Sequence, residues 1–351
     1  MRSMVRLTRP LAIFGIASLV VAAWLALNFL STTTGPLSAL VDRLSTFTTI
    51  FLGIFIEATP FLLLGTLGSG LVEVYFDQNQ LHRLIPRNPI AGAIVGSLLG
   101  LFFPVCECGV VPLARRLFKK GLPISVGVAF LLAAPVVNPI VIASTAAAFG
   151  VGPILFLRVG LTLLIAVTTG LVFAAQPRPE KLLNATAWAT MSGGSVVREL
   201  SEREEIGKMN GQGQLGEKVR RVLTVAADEF FEMGRYLVLG SLIAAVMQTV
   251  VPQSALLAVS QGPVISVVAL ITLAVVLSVC STVDAFIALA FARTFTAGSI
   301  LAFLVFGPMV DIKSALLFLQ VFKPKAVAYL IALPLAMTIL FAVFMNLNIV
   351  W

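Results

Sequence analysis

The sequence predicts an all-α integral membrane protein of two inverted repeats, with about seven full transmembrane helices and two re-entrant hairpins. Three observations predict it. The 351 residues are 59% hydrophobic and 11% charged, with a mean hydropathy of +1.03, whereas soluble domains carry about 25% charged residues. Landmarks of the first half recur in the second: Glu57 and Glu232, Cys106 and Cys280, and Asn138 and Asp311 lie in register, about 175 residues apart. The basic residues, which give a net charge of +8 and a pI near 9.8, gather at the ends of apolar segments, where they set orientation. That placement excludes nucleic acid as a partner and makes the lipid bilayer the surroundings of the chain.

In chain order, Arg2, Arg6 and Arg9 precede the apolar stretch Leu11–Leu30. It is about a full span long and lacks a small-residue cleavage site, so a retained first helix with a cytoplasmic N-terminus is expected. Leu37–Phe76 is a long helical stretch holding Glu57 and Pro60, followed by a basic connector with His82, Arg83 and Arg87. Ile90–Phe103 and Val110–Phe118 flank a break at Pro104-Val105-Cys106-Glu107-Cys108-Gly109, and Arg115, Arg116, Lys119 and Lys120 follow. Ile124–Ala148 is interrupted at Pro135–Pro139, and Val151–Ala175 closes the first half. Residues 176–217 are polar and mixed in charge, as in a soluble loop. Val222–Val251, Val264–Val279, a second break at Cys280-Ser281-Thr282-Val283-Asp284, Ala285–Phe295, Ser299–Phe322 and Ala326–Phe344 complete the chain. The division expected is an N-terminal helix (1–36), repeat one (37–175), a cytoplasmic loop (176–217) and repeat two (218–351).

Orientation separates two arrangements. Nine single spans would make the repeats parallel and would leave one basic group outside, against the positive-inside bias. If each cysteine segment is re-entrant, every basic cluster falls on the cytoplasmic side and the repeats are inverted. Arms of about 14 residues reach roughly 21 Å, past the midplane of a core about 30 Å thick.

The breaks carry the chemistry. Broken helices are tolerated in a membrane where they are buried in protein or line a cavity, and charges there mark functional sites. The expected substrate-binding residues are Cys106, Cys108, Cys280, Glu107, Asn138, Asp284 and Asp311. Thiolates select soft acceptors, and three thiols suit trivalent arsenic or antimony, whereas one or two suffice for a methylated arsenical. Ligation releases thiol protons, so binding is coupled to pH. Each residue also has a plain structural reading. The cysteines can be small packing residues, Glu107 can cap a helix or pair with a base, and Asn138 can satisfy the backbone opened beside Pro139. Asp284 or Asp311 can serve proton coupling, with Lys313 as a structural partner to one of them. Glu57, Glu232, Arg158 and Arg235 read as structural or interfacial pairs, and Met309 as packing. One histidine rules out a His-based metal centre, and no cofactor is implied.

Pro104-Val-Cys106-Glu-Cys108-Gly109-Val-Val-Pro112, Ala134-Pro-Val-Val-Asn138-Pro, Cys280-Ser-x-x-Asp284-Ala-Phe and Gly307-Pro-Met-Val-Asp311-x-Lys313 resemble motifs of a bacterial predicted-permease family. That family includes ArsP-type organoarsenical efflux permeases and YraQ-like permeases. The resemblance spans about residues 45–345. It implies an inner-membrane permease and, for the arsenical branch, export of trivalent organoarsenicals through Cys106, Cys108 and Cys280. Glu107 departs from the pattern, in which a small residue such as Ser is usual. No phosphate-binding Gly-x-x-x-x-Gly-Lys-Ser/Thr loop is present, so export would draw on an ion gradient or a partner, and the chain is expected not to be an enzyme. Two other readings stand beside it: a permease for another small solute or metal ion, working with a partner subunit or as a homo-oligomer, and a membrane thiol oxidoreductase using Cys106 and Cys108.

Overall fold

Residues 36–75, 86, 88–102, 106–176, 182–183, 211–250, 262–292 and 294–348 are described by the computed structural model. The expected first helix, most of the polar loop and the linker after Val250 lie outside them. The described residues form twelve α-helices and no strands, apart from one isolated bridge between Leu183 and Phe322. The protein is an all-α membrane protein. Among the described residues, five stretches are long and apolar enough to cross a bilayer: Val41–Tyr75, Pro153–Ala174, Gly216–Val250, Ala297–Val321 and Pro324–Asn348. They match five of the seven full spans expected. The sixth, Ile124–Ala148, is two short helices in series, and the seventh is Leu11–Leu30.

The helices fall into two series of six. The first is α1 (Pro36–Tyr75), α2 (Pro89–Leu98, continued by a 3₁₀ turn Leu99–Leu101), α3 (Glu107–Lys119), α4 (Ile124–Ala133), α5 (Pro139–Phe149) and α6 (Pro153–Ala174). The second is α7 (Gly211–Val250), α8 (Ile265–Leu277), α9 (Asp284–Phe291), α10 (Ala297–Met309), α11 (Ile312–Val321) and α12 (Pro324–Asn348). Each helix has its counterpart six places later, and α1 and α7 have the same length, 40 residues.

Local sequence explains the breaks. Asn88 and Asn138 each cap a helix that opens with Pro-Ile, their side chains accepting from the amides of Ile90 and Ile140 at 3.0 Å. Proline at the first position lacks only a donor that would be unsatisfied anyway, and an Asn cap satisfies another. Asp311 does the same for α11 in a capping box with Ser314. Helix α7 starts at Gly211, well before the expected Val222, because the stretch from Gln212 to Arg221 is rich in good helix formers and includes a Glu217–Arg220 pair.

Contacts along the helices fix their directions. Gly70 of α1 abuts Val222 of α7, and the Lys218 ammonium lies 6.0 Å from the Tyr75 ring. The equivalent helices α1 and α7 are therefore antiparallel. On α2, Gly92 faces Val126 and Gly100 faces Ala134 and Val137, so α2 runs parallel to α4. Because α3 ends only a short turn before α4 begins, α2 leads inward and α3 returns to the level of entry. The second cysteine segment repeats this. Ser266 and Ser299 share a hydrogen bond of 2.8 Å and Gly307 packs on Ala274, so α8 parallels α10 while α9 returns. The two re-entrant segments enter from opposite ends. Phe118, Phe173 and Phe322 meet at the end where α3 finishes. Phe291 and Phe295 pack with Phe149 and Ile154 at the other.

Outward faces carry exposed apolar side chains such as Ile56, Leu64, Phe156, Phe231, Leu239, Leu340 and Phe344. Apolar surface on this scale belongs to a lipid-facing protein. The core lies around α3, α4 and α10, which are buried over nearly their whole lengths, and the inner face of α11.

Candidate functional site at the hairpin tips

Each cysteine break is built the same way. The Cys106 carbonyl accepts from the amides of Gly109 and Val110, and the Cys280 carbonyl from those of Val283 and Asp284. Cys106 is the N-cap of α3, whereas Cys280 precedes α9 by a turn that Val283 caps, and in both return helices an acid is the first residue: Glu107 in α3, Asp284 in α9. Before Cys280, Ser278 ends α8 in a left-handed conformation (φ 46°), which turns the chain.

Close approach of α3 to α1 depends on two glycines. A Cβ on Gly65 would collide with the backbone of Gly109, so the two helices touch backbone to backbone. Gly240 of α7, the counterpart of Gly65, packs in the same manner against the Cα of Lys313. These contacts carry α3 and α11 into the interior side by side.

There Lys313 joins three segments. Its Nζ lies 3.2 Å from Glu107 Oε1 and 3.4 Å from Asp311 Oδ2, and it donates to the Ser278 carbonyl at 2.7 Å. Lys313, Glu107 and Asp311 are all buried, and Glu107 Oε2 has no hydrogen-bond partner among the described residues. On the other side, Arg158 Nη2 lies 2.5 Å from Asp284 Oδ2 and Nη1 donates to Thr145 at 2.7 Å. Burying a charge is costly unless it is paired, so these acids and bases stabilise each other's presence inside the protein.

The thiols are free and buried. Cys106 and Cys108 flank Glu107 at the tip of one hairpin, Cys280 lies at the tip of the other, and all three belong to the same core cluster. Among the described residues no three His, Cys, Asp or Glu side chains converge closely enough to hold a metal ion. Of the residues expected to bind substrate, Glu107 and Asp311 contact Lys313, Cys106 and Cys108 flank Glu107, and Cys280 lies two residues beyond the Ser278 carbonyl that Lys313 holds. Asn138 is placed in a capping role and Asp284 in a pair with Arg158. Met309 is buried in the core cluster, as a packing residue would be.

Sequence reasoning left Lys313 as a partner to one aspartate and Arg158 as an unspecified pair. The signal was a solitary base inside an apolar segment, which in a membrane implies an interior acid. Charges at the end of α3 form a second network. Arg116 contacts Glu73 at 3.3 Å and Glu229 at 2.6 Å, Arg115 contacts Glu232 at 2.9 Å, and Lys120 donates to the Glu73 carbonyl at 2.8 Å. It ties α1, α3 and α7 together where the acid near the end of α1 meets the basic end of α3.

A sequence family described as "Predicted permease" matches residues 43–347. The chain belongs to that permease family. This permease is 43% identical over 284 residues to the "UPF0718 protein YcgR" of Bacillus subtilis (strain 168), covering 80% of the chain and 90% of that relative. It is 35% identical over 281 residues to a "Putative two-component membrane permease complex subunit" of Streptococcus mutans serotype c, covering 79% of the chain and 87% of the relative. No solved structure matches the permease.

Proposed function

We propose that this permease is a plasma-membrane secondary transporter that exports a soft, thiol-reactive solute, foremost a trivalent organoarsenical, through contacts with Cys106 and Cys108. Two inverted repeats, 37–175 and 218–351, would frame the route, with the N-terminus in the cytoplasm. The observation that carries the reading is the meeting of two hairpin tips from opposite ends, where Lys313 contacts Glu107 of one and the Ser278 carbonyl of the other, with Cys106 and Cys108 at the first tip and Cys280 at the second, all buried in one core cluster. A pair of thiols matches an arsenical with one or two exchangeable positions. Antiparallel α1 and α7 support inversion of the repeats, since a duplication about an axis along the membrane normal would leave equivalent helices parallel. Basic residues Arg115, Arg116, Lys119, Lys120, Lys218, Lys323 and Lys325 at one end support a cytoplasmic assignment for it.

The test is growth of an arsenic-sensitive host on a panel of trivalent methylated and aromatic arsenicals, antimonite and divalent metals. Wild type protects against the organoarsenicals, and Cys106→Ser and Cys108→Ser abolish protection, with weaker loss for Cys280→Ser. Full protection by Cys106→Ser at normal membrane levels would sink the reading.

A second reading is favoured by the streptococcal relative, whose name makes it a subunit of a two-component complex. Here the permease moves another small solute or a metal ion together with a partner protein. Co-purification of a stoichiometric partner from native membranes, with no arsenical phenotype, would select it.

A further inference from the structure

Each hairpin is latched to the opposite half of the chain by one buried ion pair. Glu107, at the start of α3, is held by Lys313 of α11 at 3.2 Å. Asp284, at the start of α9, is held by Arg158 of α6 at 2.5 Å. Among the described residues, these are the two pairs that join a hairpin to the other half with both partners buried. Packing follows the same exchange, since α3 lies on α11 and α9 lies on α5.

Both bases have a second partner within their own half. Lys313 also faces Asp311, and Arg158 also donates to Thr145. If Glu107 leaves, Lys313 stays neutralised by Asp311 and held by the Ser278 carbonyl. If Asp284 leaves, Arg158 keeps one hydrogen bond. Either latch can therefore open without loosening the element that carries its base, and on the α3 side the hairpin tip is freed while the far end of α3 stays tied to α7 through Arg116–Glu229 and Arg115–Glu232. Because the hairpins enter from opposite ends, release of one tip would expose the thiols it carries, Cys106 and Cys108 or Cys280, toward a different face.

We infer that Lys313 and Arg158 are positioning residues for transport, each latching one hairpin, and that the two latches open alternately to admit solute from opposite faces. This rests on the transport reading above and assigns the gates of the same site. Neither base needs to touch the solute.

The test uses the full-length permease in membrane vesicles of both orientations, with a membrane-impermeant maleimide as probe and peptide mass spectrometry to locate the label. No cargo is needed, so the absence of an arsenical phenotype leaves the result readable. Wild type labels slowly from both faces. Glu107→Gln speeds labelling of Cys106 or Cys108 only from the face at which α3 ends. Asp284→Asn speeds labelling of Cys280 only from the opposite face. Each rise is on the order of tenfold or more, because loss of a buried pair shifts an equilibrium by several factors of ten. Since Asp284→Asn leaves Arg158 with a reduced set of partners and can impair folding, the paired Arg158→Gln/Asp284→Asn variant is measured beside it, with the same result expected. Opening of both hairpins to the same face, or unchanged labelling in the folded variants, overturns the inference.

Discussion

The Lys313 ammonium lies 3.2 Å from the Glu107 carboxylate, and the two residues belong to opposite halves of the chain. Both sit in segments that read as apolar on either side of a break. A lysine with two carboxylates and a carbonyl around it is a structural centre as much as a chemical one. Lys313→Met strands Glu107 and Asp311 without their cation, and a broken buried pair costs about 3–5 kcal/mol. The expected outcome is a marked fall in the thermal midpoint of the detergent-purified protein. An unchanged midpoint would mean that the three groups are not mutually dependent.

Gly65 and Gly109 make a sharper steric prediction. Gly65→Ala places a methyl against the Gly109 backbone, and overpacking of this kind costs about 1–3 kcal/mol. Gly53→Ala and Gly160→Ala meet nothing within 4 Å, and they replace a poor helix former by the best one, a gain of up to about 1 kcal/mol. Thermal midpoints of the three variants should fall for the first and hold or rise for the others.

Asn138 distinguishes capping from solute contact. Asn138→Ala loses the acceptor for the Ile140 amide and should cost about 1 kcal/mol. Asn138→Asp retains the acceptor, as Asp311 does at the equivalent position, and should recover most of the stability. A midpoint restored by Asp would support the cap. Loss of transport in Asn138→Asp despite that restored stability would assign the residue to the solute.

Arg116 reaches both Glu73 and Glu229 with separate guanidinium nitrogens. Arg116→Lys cannot reproduce that fork, and hydrogen bonds to charged groups are worth about 1.5–3 kcal/mol each. A stability loss in Arg116→Lys nearly as large as in Arg116→Ala is expected, measured by the same midpoint. Full retention by Lys would show that charge alone suffices there.

Much of this architecture was legible in the residues. The breaks at Cys106, Pro135–Pro139 and Cys280 announced themselves through proline, glycine and polar residues within apolar runs, and each is a break in the structure. The placement of Arg115 to Lys120 relative to the other basic clusters led to the expectation of re-entry, and in the structure α3 runs back to the level at which α2 begins. The start of α7 was misplaced because residues 211–221 lack apolar periodicity, although their helix propensity is good. The pairing of Asp284 with Arg158, rather than with Lys313, was not legible. Both bases are solitary charges in apolar segments, and nothing local separates their preferences.

By itself, the sequence determined that the chain lives in a membrane, that its two halves repeat one pattern, and where the helices break. Those properties follow from solvation and local backbone chemistry, which act within a few residues. Only the tertiary structure decided that α1 and α7 run antiparallel, that Lys313 gathers Glu107, Asp311 and the Ser278 carbonyl, and that Arg158 takes Asp284. Such pairings depend on which helices approach closely enough to exclude competing partners. That choice is made by the shape of whole faces, with Gly65 against Gly109 and Gly240 against Lys313, and not by any one stretch of chain.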